Sequence, residues 1–71
     1  MTEGKGLLKQ PNEIFELIVK ADEKLKYATA EKGDARRRQA KDLLTQALEA
    51  ARGIGNEALV QQAELRLSDL G

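Results

Sequence analysis

Cysteine and histidine are absent, proline occurs once, and one phenylalanine and one tyrosine are the only aromatic residues. Without cysteine there is no disulfide framework and no thiolate metal site. Without histidine, the commonest metal ligand and the commonest proton-transfer side chain are both missing. An excess of one charge is missing too, since 12 Lys and Arg balance 12 Asp and Glu. That balance argues against a general nucleic-acid or membrane coat. No apolar run approaches the roughly 18 residues of a membrane span. Leu7 and Leu8 stand alone among Gly, Lys and Gln, so the start of the chain has no hydrophobic signal core, and a cytoplasmic protein is expected.

Catalytic constellations are equally scarce. The four Ser and Thr residues, Thr2, Thr29, Thr45 and Ser68, have no histidine to activate them. Asp22 and Glu23 are adjacent, and neighbours on a helix point about 100° apart, which prevents a shared acid–base site. Gly53-Ile54-Gly55 lacks the Lys-Ser/Thr that completes a phosphate loop, and no strand precedes it. No enzyme activity, metal or cofactor is expected.

What the chain does have is helical periodicity. Residues 1–10 carry two glycines and mixed charge without a period, and read as a flexible tail ahead of a three-helix domain over 11–71. Pro11 suits the first position of a helix, where its missing N–H is not needed, and Glu13 and Glu16 suit its first turn. Ile14, Ile18, Ala21, Leu25 and Ala28 then form one stripe, which predicts a helix over 11–32 closed by Gly33 as a left-handed cap. Asp34 as N-cap and the stripe Ala40, Leu44, Ala47, Ala51 and Ile54 predict a second helix over 35–52, capped by Gly53. Asn56 caps a third, over 57–70, with Leu59 or Val60, Ala63, Leu67 and Leu70 inward. Ile18, Leu25, Leu44, Ala47, Ala63 and Leu67 are the expected core. Short connections make neighbours antiparallel, so the fold class is all-α, an up-down-up three-helix bundle. The 17 Leu, Ile, Val and Phe residues form a small core for 71 residues, which implies marginal stability alone or help from a partner.

Ala40 and Ala47, seven apart with Leu44 between them, follow a turn containing Gly33-Asp34. The run from Ala47 to Arg52 leads into Gly55-Asn56. These features of the second helix resemble a tetratricopeptide repeat. The resemblance implies a helical hairpin, here with one extra packing helix. In such a hairpin small residues let adjacent helices approach and a large one fills the groove between them.

Two surfaces stand out as candidate sites. Phe15 and Val19 are apolar side chains beyond the main stripe of the first helix, with Leu65 as a further surplus on the third. They predict an apolar interface for a partner helix or a second copy of the chain. Arg36-Arg37-Arg38 begins the second helix, where the helix dipole disfavours cations. Residues 20–41 carry a net charge of +4, and an up-down-up path brings Lys24, Lys26, Lys32, Arg36, Arg37, Arg38 and Lys41 to one pole. Lys32, Arg36, Arg37, Arg38 and Lys41 are the candidate residues for an anionic partner. A protein partner or homo-oligomer is the leading expectation. Nucleic acid is the weaker alternative, because Tyr27 is the only aromatic near the pole for stacking a base.

Overall fold

The computed structural model describes residues 10–28 and 33–70. Three helices account for most of them: α1, Pro11–Lys26; α2, Gly33–Gly53; and α3, Glu57–Leu70. Among the described residues there is no strand, and no helix is long and apolar enough to cross a membrane. Pro11 occupies the opening of α1. The Gln10 backbone N–H donates to Glu13 Oε1 at 2.9 Å, satisfying one donor that a helix start leaves open.

Helix α1 ends at Lys26, short of the expected residue 32, and Tyr27 leaves helical geometry as its C-cap. Lys24 and Lys26 sit in this last turn, where cations offset the exposed carbonyl dipoles. The chain leaves the helix through a tightened turn, in which Tyr27 N–H donates to Glu23 O at 3.2 Å and Ala28 N–H to Leu25 O at 3.2 Å. Residues 29–32 lie outside the described residues.

Three predicted caps are corrected. Gly33 is not a left-handed terminator but the buried first residue of α2. Asp34 is inside the helix, its carboxylate almost fully exposed and 3.6 Å from Arg37 Nη1. At the other end Gly53 is helical, and Gly55 takes the positive φ of 71°. Asn56 N–H donates to Ala51 O at 2.9 Å and Gly55 N–H to Arg52 O at 3.1 Å, the paired bonds of a Schellman closure. The cap falls two residues later than predicted because Ile54 continues the stripe of Ala47 and Ala51 and packs on the core. The predicted cap of α3 is present: Leu59 N–H donates to Asn56 Oδ1 at 3.2 Å.

Helix α2 is the spine. It packs on α1 along one flank and on α3 along the other, while α1 and α3 meet only sparsely. The molecule is correspondingly flat and long, 45 × 23 × 16 Å. Ala21, Ala40, Ala47, Ala51 and Ala63 are all fully buried, and these small side chains allow close helix approach. Ile14, Ile18 and Leu44 are the large side chains that are fully buried. Each contributes roughly 1.5–3 kcal/mol of burial, so the core is thin. Leu25 and Leu67, expected inside, are only half-buried, because the weakly closed α1–α3 seam supplies no third layer over them.

Candidate functional site

Phe15, Val19 and Asp22 follow one another at i, i+4 and i+7, which places them within about 60° of one another on α1. The position of Asp22 fixes where that stripe faces. Arg66 Nε–H of α3 donates to both its carboxylate oxygens, at 2.9 and 3.1 Å. Arg66 Nη1 also donates to Gln62 O at 3.3 Å, which holds the guanidinium along its own helix. Phe15 and Val19 therefore stand on the flank of α1 turned toward α3, toward its N-terminal end. They remain 49% and 37% exposed. Ile14, one residue before Phe15, is fully buried. Leu65 is exposed on the outer face of α3, away from this flank.

The basic residues do not form one patch. Arg37, Arg38 and Lys41 are exposed on α2, and Arg37 is the one of the three paired with a carboxylate among the described residues. Arg38 and Lys41 are three apart and share a face. Arg36 is half-buried on a different flank, because successive helical residues diverge by about 100°. Lys32 lies outside the described residues.

Arg36 instead joins side chains of α1. An open cavity of about 410 Å³ lies between α1 and α2, walled by Lys20, Glu23, Lys24 and Tyr27 on one side and by Arg36 and Leu43 on the other. On α1 the four residues recur at i, i+3, i+4 and i+7, and on α2 the two are seven apart, so two facing stripes make the groove. Leu43 packs on the core and closes the base. Lys26 Nζ lies 5.8 Å from the centre of the Tyr27 ring, within reach of a cation–π attraction. The membership of Lys20, Glu23 and Leu43 was missed from sequence. The i, i+3, i+4, i+7 recurrence on α1 lies in the sequence, but its pairing with Arg36 and Leu43 depends on how α1 and α2 cross. No family model, curated protein or solved structure matches this chain.

Proposed function

We propose that this protein is a small, non-catalytic protein–protein interaction module whose apolar contact surface is the Phe15–Val19 ridge beside α3. The observation that carries the reading is the pairing of a half-exposed Phe15 with a Val19 one turn on that is more than a third exposed. They share a stripe with the residue that links α1 to α3. A half-exposed aromatic beside an open helix–helix seam offers the anchor that helix-in-groove recognition uses. The full burial of Ala40, Leu44 and Ala47 at the spine supports a tetratricopeptide-like hairpin as the scaffold. A partner helix or a second copy of the chain is the occupant.

Size-exclusion with light scattering, followed by Phe15→Ala and Val19→Ala, tests this. Loss of association in a variant that keeps wild-type helicity supports the ridge. A chain that is monomeric at all concentrations restricts the reading to a foreign partner helix.

A second reading, an accessory protein that binds anions or nucleic acid, draws support from Arg38 and Lys41. They are exposed and share no ion pair with a carboxylate among the described residues. Binding of this kind falls steeply with added salt, and an apolar ridge does not.

A further inference from the structure

The groove between α1 and α2 is chemically unlike the Phe15 ridge and lies on a different flank of α1. Three cations, Lys20, Lys24 and Arg36, converge on it against one carboxylate, Glu23. None of the three cations has an ion-pair partner among the described residues. Arg36 and Lys24 are half-buried, as long cationic side chains are when their stems lie along a groove wall, and an acceptor reaching them makes a charge-assisted contact. The walls between these charges are mainly apolar, with the Leu43 side chain at the base and the Tyr27 ring at the side. A volume of about 410 Å³ falls in the range of pockets that take a small ligand or one or two side chains.

We propose that this groove binds an acidic, amphipathic peptide segment. One leucine-sized apolar side chain fills the space between Leu43 and Tyr27, and the flanking carboxylates are held by Lys20, Lys24 and Arg36. The antiparallel stripes grade the site, with Tyr27 and Arg36 toward one end of the groove and Lys20 and Leu43 toward the other. A carboxylate on either side of the apolar residue therefore meets a cation. A phosphodiester strand suits the groove poorly. Its charges recur without an apolar group to fill the base, and one tyrosine provides a single stacking surface where such binders use several.

The test uses the full chain and a blocked peptide alternating glutamate and leucine, followed by two-dimensional amide NMR. Saturable shifts confined to residues 20–27 and 36–43 are expected. Arg36→Gln and Lys24→Gln should each weaken binding about tenfold or more, the loss of a charge-assisted contact. Lys20→Gln, at an exposed position, gives the same direction of change should the half-buried Arg36 variant lose helicity. Phe15→Ala should leave peptide affinity unchanged, which separates this site from the proposed ridge. The site is refuted if a glutamine–leucine peptide binds equally well, or if a glutamate–serine peptide does. Shifts centred on Phe15 and Val19, saturation by oligothymidylate in place of peptide, or no shift with any peptide would each overturn it as well.

Discussion

Arg66 of α3 holds Asp22 of α1 through its Nε–H, at 2.9 and 3.1 Å to the two carboxylate oxygens. The residues are 44 positions apart, and the helices carrying them otherwise meet little. An apolar seam closes over a distance and tolerates slippage, whereas this bond fixes one level of α1 against one level of α3. Phe15 stands seven residues toward the N-terminus of α1 from that fixed level, on the same stripe.

A double-mutant cycle with Asp22→Ala and Arg66→Ala measures that link. The two side chains are 45% and 32% exposed, so solvent screens the pair, and the coupling expected is about 0.5–1 kcal/mol. In molar salt it should shrink. Additive single mutants would mean that the pair contributes no stability and that packing alone holds α3 to α1.

The three described glycines should respond to alanine with opposite signs. Gly55 has φ of 71°, where a Cβ is strained, so Gly55→Ala should destabilise by about 1 kcal/mol. Gly53 is helical, and a Cβ there meets nothing within 4 Å. Gly53→Ala should therefore stabilise by about 0.5–1 kcal/mol. At Gly33 a Cβ comes 3.4 Å from Arg37 Nη1, the free end of a flexible side chain, and the same gain is expected. Thermal melts of the three variants check this. A stabilising Gly55→Ala would mean that the α2–α3 turn is not closed as described.

These glycines also mark where sequence reading stops. Pro11 and Asn56 announced helix starts because capping is a local interaction, and the stripes of Ile14, Ile18 and Ala21 announced which face turns inward. Helix ends are decided by a balance that involves other helices. Gly53 and Gly55 are equally good caps in isolation, and only the burial of Ile54 chooses between them. Leu25 and Leu67 have the same limitation, since each lies on the right stripe but its burial depends on how tightly α1 and α3 close. At the candidate sites Phe15 was legible as the edge of a stripe, while its exposure depends on the reach of α3. The α1–α2 groove was not legible, because the crossing that brings Lys20 and Lys24 to Arg36 is a tertiary property.

Arg37 should prove dispensable for folding. Its partner Asp34 is almost wholly solvated, and Arg37 itself is 60% exposed. Arg37→Glu gives up that pair and places like charges three residues apart, both small effects on an exposed face. As the fifth residue of α2, position 37 lies past the first turn, where the dipole acts, so the melting midpoint should move by no more than about 4 °C. A fall well beyond that would make the arginine structural and remove it from any binding surface.

Phe15 and Ile14 are adjacent in the chain but should behave as residues of different kinds. Ile14 is fully buried against the spine, and Ile14→Ala should cost about 2–5 kcal/mol, a large share of the stability of so small a domain. Phe15 already presents 49% of its surface to water, so truncation gives up only part of its burial. Phe15→Ala should leave helicity intact and lower the melting midpoint by only a few degrees. If the ridge is an interface, the same substitution weakens self-association or partner binding by about 1–2 kcal/mol or more, as loss of an aromatic anchor does. Circular dichroism and light scattering on the two variants, at matched concentrations, separate the roles. A Phe15→Ala protein as unfolded as Ile14→Ala would show that Phe15 belongs to the core, and the ridge would lose its standing as a contact surface.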